Sequence, residues 1–325
     1  MKAVWYERNG PAREVLQYGD MPDPEPGTGE VRVRIHASGV NPSDWKTRSG
    51  SRPMVAPRVI PHSDGAGTID RVGAGVDPAR VGERVWLWNG QWKRPFGTAA
   101  DLIALPSEQA VRLPDNTSFE AGACLGIPAL TAHRAVTVDG SIAGQSVLVS
   151  GGAGAVGHYA IQMAKILGAT RVIATVSSPE KAEHARRAGA DEVINYRAED
   201  VAARVHALTD GRGVDRIVEV DIAGNAGLVP KIVAREGVCV VYGANTPQAT
   251  FDFGPMIMSG AAVRFFIVYE LSPEARKRGV DDLTRWLEEG RLQHTIAATL
   301  PLERTIEAHE RVEQGKLIGN VVVQP

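Results

Sequence analysis

One stretch constrains this chain more than any other: VLVSGGAGAVGHYAIQMAKILGA, residues 147–169. An apolar, strand-like run ends in Gly152, Gly154 and Gly157, spaced G-x-G-x-x-G, and a segment of helical period opens inside the motif. A turn in that context is built to hold a dinucleotide's pyrophosphate. A Cβ would block the tight turn and keep the backbone from the anion, and the helix N-terminus offers unpaired N–H groups and a favourable dipole. Taken alone, the spacing also fits a purely structural glycine turn. The downstream segments decide between the two: VIATV, a helix from 179 to 188 closed by Gly189, VINY, a helix near 200–208, RIVEV, a helix near 225–234, and VCVVYG. Strand and helix taking turns is the pattern of a doubly wound parallel sheet. Gly152, Ala153, Gly154, Ala155, Val156 and Gly157 are therefore the expected contacts of a dinucleotide.

The end of the next strand says which dinucleotide. An NAD site usually carries Asp or Glu about 20 residues downstream, on the ribose hydroxyls. Here that position falls in ATVSSPEK, where Ser177 and Ser178 offer no carboxylate to repel a 2′-phosphate and Lys181 adds a positive charge. Tyr196 and Arg197 follow the next strand and can reach the same edge. The competing reading makes Ser178 a helix cap ahead of Pro179 and Lys181 a solvated surface residue. NADPH is the expected cofactor.

The rest of the chain bounds the architecture. At 325 residues it exceeds what one core organises, so two domains are expected. Residues 1–122 are rich in Gly, Pro and short β-like runs; VRVRI at 31–35 alternates apolar and charged residues as a strand with one wet face would. Residues 123–264 form the dinucleotide-binding domain, and 265–325 return to the first domain, with FFIVY and the final VVV read as its strands. Lys and Arg are interspersed with Asp and Glu for a net charge of −2, with no basic block to track a nucleic-acid backbone. No leader-like or membrane-spanning apolar run occurs, so a cytoplasmic protein is expected. The two cysteines, Cys124 and Cys239, sit in apolar runs and read as core thiols.

GVNPSDWKTRSG, LGIPALTAHRAV, GGAGAVG and IEAHERVEQGKLIGNVVV, in that order, resemble the zeta-crystallin-like quinone oxidoreductases, a zinc-free branch of the medium-chain dehydrogenase/reductase superfamily. The resemblance implies a GroES-like, mostly β catalytic domain, a Rossmann domain inserted into it, and a cleft between them. It places Asn41 beside the nicotinamide and has Thr131 contact the nicotinamide end of the cofactor. Lys181 and Tyr196 match positions holding the 2′-phosphate, and Gly243 in VVYGAN matches a turn passing the carboxamide. Asn320 falls where relatives often carry a basic residue near the cofactor. Lys46, where several relatives have a tyrosine, stands in the substrate cleft on this reading; otherwise it is a surface lysine. A homodimer or homotetramer is expected.

A zinc site is not expected. Asn41 occupies the segment of the first catalytic cysteine, and in IPHSDGAG the register set by Gly65, Ala66 and Gly67 puts Ser63, not His62, at the next ligand position. Without a Lewis acid, reduction of an electrophilic acceptor is easier than alcohol oxidation. The expected activity is NADPH-dependent quinone reduction, with Asn41, Lys46 and Thr131 at the reacting end. An alkenal or enone double-bond reductase is the enzymatic alternative, and an NADPH-binding, crystallin-like structural protein the non-enzymatic one.

Overall fold

The computed structural model describes residues 1–325, which divide into two compact units, Met1–Ile127 with Val280–Pro325, and Pro128–Gly279. The first unit opens with β1 (Lys2–Trp5) and β2 (Gln17–Asp20), an antiparallel pair. It continues with β3 (Glu30–Val40), β4 (Asp64–Val72), β5 (Arg84–Leu87), β6 (Leu102–Pro106) and β7 (Ala110–Arg112). Val31, Val33 and Ile35 of β3 point into a core with Ile69, Val85 and Leu105. The other face of β3 is only half wet. Arg34 is exposed, but Arg32 is buried, its guanidinium held 2.8 Å from Asp70. A buried arginine is tolerated because a carboxylate meets it.

The second unit carries the alternating pattern. Its strands are β8 (Ser146–Val149), β9 (Arg171–Val176), β10 (Glu192–Asn195), β11 (Val214–Glu219), β12 (Val233–Val241) and β13 (Ala262–Phe265), all parallel, in the order β10-β9-β8-β11-β12-β13. The order reverses beside β8, where doubly wound sheets open their binding crevice at the strands' carboxyl ends. All four residues of β8 are buried, as a strand covered by helices on both faces must be.

Two expectations shift here. The helix expected near 225–234 is two single turns, Ile222–Asn225 and Val229–Ile232, and β12 already begins at Val233. Gly224, Gly227 and Pro230 break the helical run. FFIVY does not rejoin the first unit as a strand: Phe265 ends β13, which pairs parallel with β12, and residues 268–270 form a short 3-10 turn. The chain returns only after Gly279, inside the helix Pro273–Glu288. There β14 (Ile296–Pro301) and β15 (Asn320–Gln324) complete a seven-stranded sheet, β15 lying antiparallel to β3. No helix is long and apolar enough to cross a membrane. Cys124 and Cys239 are buried free thiols.

Candidate active site

In the second unit the glycine turn is tied to β9. Gly151 donates its N–H to Thr175 Oγ1 (3.2 Å) and Gly152 to the Thr175 carbonyl (3.0 Å). Gly151, one residue before the recognised motif, takes the left-handed conformation, with φ of 65°. The other glycines divide their work. A Cβ on Gly152 would sit 2.7 Å from Ala174 Cβ, and one on Gly157 2.4 Å from the Gly151 carbonyl, so both serve close helix–sheet packing. Gly154 is exposed and meets only the Gly151 carbonyl, at 3.2 Å; its role is to keep the outer surface of the turn clear. It is also the N-cap of the helix Ala155–Ile166, and no side chain caps that end. The first-turn N–H groups at Ala155 and Val156 therefore suit an anion, while Ala153 packs inward.

Around this turn the strand ends converge. Tyr196 donates its N–H to the Val176 carbonyl (3.1 Å), which ties its backbone to the end of β9 next to Ser177 in the chain, and its side chain is half-exposed. Ser178 does cap the helix Pro179–Arg187, accepting from Lys181 N–H at 3.3 Å, yet its own hydroxyl proton stays available. The Lys181 ammonium stands on this first helical turn. A cavity of about 490 Å³ has Ser150, Gly151, Thr175, Tyr196, Val220 and Asn225 in its wall. Gly243 closes the far side of the sheet's switch point: a Cβ there would lie 2.3 Å from the Val220 carbonyl. Thr131 is buried on the helix Leu130–Thr137 of the same unit.

Sequence reasoning passed over one group. Glu219, at the end of β11, is buried, and desolvation raises its carboxyl above the usual range, partly offset by bonds from Asn225 Nδ2 (3.0 Å) and Asp221 N–H (2.6 Å). The visible signal was a carboxylate inside an apolar strand run, RIVEV.

In the first unit Asn41 ends β3 and caps the helix Pro42–Lys46. It is buried and tied at two points: its backbone N–H donates to Asp44 Oδ2 (2.7 Å) and its Nδ2 to Asp64 Oδ2 (2.9 Å). Burial pushes the Asp44 carboxyl up to about 7, against the lowering effect of the Asn41 N–H. Lys46 is half-buried at the end of the same short helix, its Nζ 5.9 Å from the Trp45 ring centroid. Asn320 precedes Val321, the partner of Val40, so it lies next to Asn41 along the ladder. Its backbone N–H (2.8 Å) and one hydrogen of Nδ2 (3.2 Å) both go to the Thr295 carbonyl.

The sequence matches the alcohol dehydrogenase GroES-like domain over residues 27–115 and the zinc-binding dehydrogenase family over 155–285. A quinone oxidoreductase of Pseudomonas aeruginosa is 34% identical over 96% of both chains. The chain belongs to the zeta-crystallin-like quinone oxidoreductases. A crystal structure described as an NAD-dependent alcohol dehydrogenase superposes with a TM-score of 0.91 at 32% identity, covering all of both chains. The Escherichia coli quinone oxidoreductase in complex with NADPH does so at 0.90 and 26%, again over all of both chains. As a member of this family the chain is an NAD(P)H-dependent oxidoreductase of the medium-chain type. Despite the family description, no three His, Cys, Asp or Glu side chains of this zeta-crystallin-like chain are arranged to hold a metal ion. His62 instead bonds Ser38 and His309 through its two ring nitrogens.

Proposed function

We propose that the protein reduces quinones with NADPH and without a metal. The observation that carries the cofactor half is the edge formed by Ser177, Ser178, Lys181 and Tyr196: it bears hydroxyls and a lysine where an NAD site would carry a carboxylate. The nearby cations Lys181 and Arg197 favour the extra phosphate. The residues present fit a dinucleotide, since no side chain caps the helix that opens at Gly154 and its first-turn N–H groups at Ala155 and Val156 are left for an anion.

When bound, the reduced nicotinamide supplies a hydride. The chain's own part is to orient and to shield. Asn41 presents an amide whose Nδ2 is already held by Asp64 and whose backbone N–H is held by Asp44, so little ordering remains for the reacting complex. Lys46 supplies a positive charge toward the oxygen of a forming quinolate. Thr131 and Gly243 border the nicotinamide end, and the one proton that, with the hydride, completes the hydroquinone comes from water. Asn320, with its backbone N–H and one Nδ2 hydrogen on Thr295, serves the β14–β15 join rather than the phosphate.

NADPH oxidation measured against a benzoquinone, an alkenal and a primary alcohol, each with and without a chelator, tests the reading. Chelator-resistant turnover is expected, fastest with the quinone. Preference for the alkenal would make the protein a double-bond reductase, and NADPH binding without turnover would make it a crystallin-like binder. Loss of activity together with stoichiometric zinc would overturn the metal-free mechanism.

A further inference from the structure

Asp64 is fully buried at the start of β4, opposite Gly39 in the β3–β4 ladder. The chain is shaped around its side chain. A Cβ on Gly39 would come within 3.2 Å of Asp64 Cβ, and one on Gly126 within 2.4 Å of Oδ1. Into this enclosure Asp64 Oδ2 accepts two hydrogen bonds, from Asn41 Nδ2 and from the Ile127 N–H, both 2.9 Å. A carboxylate only accepts, so it can face the NH₂ end of the Asn41 amide and not the carbonyl end. The Asn41 backbone is held separately by Asp44. The amide therefore has one stable orientation, nitrogen toward Asp64 and Oδ1 turned away from it.

We propose that Asp64 is the positioning residue for Asn41, fixing which half of the amide the reacting groups meet. Asn41 then leads with a hydrogen-bond acceptor, suited to the carboxamide N–H or ribose hydroxyl of the nucleotide, and keeps only one N–H for the electron acceptor. This rests on the reading that Asn41 borders the nicotinamide. It goes beyond that reading by naming a buried group, remote from substrate, that sets turnover through a neighbour.

The test is a double-mutant cycle on the full chain, with NADPH and a benzoquinone. Asp64→Asn keeps the shape but carries one acceptor and one donor, so Asn41 can flip against it at the cost of the Ile127 bond, an orientation the carboxylate forbids outright. Asp64→Asn and Asn41→Ala should each lower kcat/KM for NADPH about tenfold, and the double variant should be no slower than Asn41→Ala alone. A merely structural Asp64 would instead slow the Asn41→Ala background by the same factor and depress the melting temperature, and that result overturns the proposal. Wild-type kcat/KM in Asp64→Asn, beside an impaired Asn41→Ala, also overturns it while leaving Asn41 at the site. An unimpaired Asn41→Ala removes the underlying reading. Should Asp64→Asn fail to fold, Asp64→Ser, whose hydroxyl still accepts from Ile127, enters the same cycle.

Discussion

His62 Nε2 and His309 Nε2 lie 2.9 Å apart in the core of the β-rich unit, and the bond between them runs one way. Thr98 Oγ1 must donate to the Asp64 carbonyl (2.5 Å), so it accepts from Ser38 Oγ (2.7 Å). Ser38 in turn accepts from His62 Nδ1 (2.8 Å). That leaves His62 Nε2 as a lone pair, filled by the N–H of His309, whose Nδ1 has no partner. A second proton on His62 would set two donors facing each other, and one on His309 would add charge beside Arg48.

Burial accordingly depresses both imidazoles, His62 to about 3 and His309 well below its ordinary 6.5. A group with a lowered folded pKa contributes stability that is complete above its unfolded value and is lost as pH falls from there toward the folded value. The loss therefore begins near 6.5, at about 1.4 kcal/mol per pH unit for each histidine. Asp44, raised to about 7, works in the opposite sense over the same range, because the folded form holds its proton more tightly. His294, lowered by burial to about 4, adds to the loss on the histidine side, so the histidines outweigh Asp44 and stability falls as pH drops below 6.5. Denaturant unfolding followed from pH 8 to pH 5 measures it. His309→Gln keeps the donor to His62 and removes one titrating ring, so its slope should fall by one proton; an unchanged slope would refute the wiring.

The cofactor prediction rests on Lys181. NADPH should bind at least tenfold more tightly than NADH, about 1.4 kcal/mol, the scale of a charge-assisted contact to one phosphate. Lys181→Ala should erase most of that difference by weakening NADPH and leaving NADH nearly unchanged. Titration of both nucleotides against both proteins checks it. Equal wild-type affinities would return Ser178 to plain helix capping.

The parts legible in the sequence are those with a short-range cause. Gly152, Gly154 and Gly157 announced the turn because only glycine meets its steric demands, and β8 to β12 announced the parallel sheet through their apolar runs. The helix near 225–234 misled because helical period survives in a stretch that Gly224, Gly227 and Pro230 cut into single turns. Asp64 passes without a reading of its own in IPHSDGAG. Its bonds to Asn41 and Ile127 join residues 23 and 63 positions away, and no local pattern encodes them. Arg32 looked solvent-facing by alternation, and a distant partner, Asp70, brought it inside.

The last prediction concerns a surface. β13 is the outer strand of its sheet, paired only with β12, and its free edge leaves backbone N–H and C=O groups open to a further strand. Apolar side chains crowd the neighbourhood: Phe265 is 67% exposed, and Phe253 and Met258 on the helix Phe253–Ser259 are 76% and 78% exposed. Such a grouping in water marks an interface. A second copy related by a two-fold axis can lay its own β13 antiparallel to this one, covering both edges and both Phe265 rings at once. The protein should therefore run as a dimer, or a tetramer built on it, in light scattering at micromolar concentration. Phe265→Lys removes two ring burials per dimer, about 4 kcal/mol, and should weaken association by roughly a thousandfold, giving monomer at the same concentration. An unchanged mass for the variant, or a monomeric wild type, would show that the open edge is not where the chains meet.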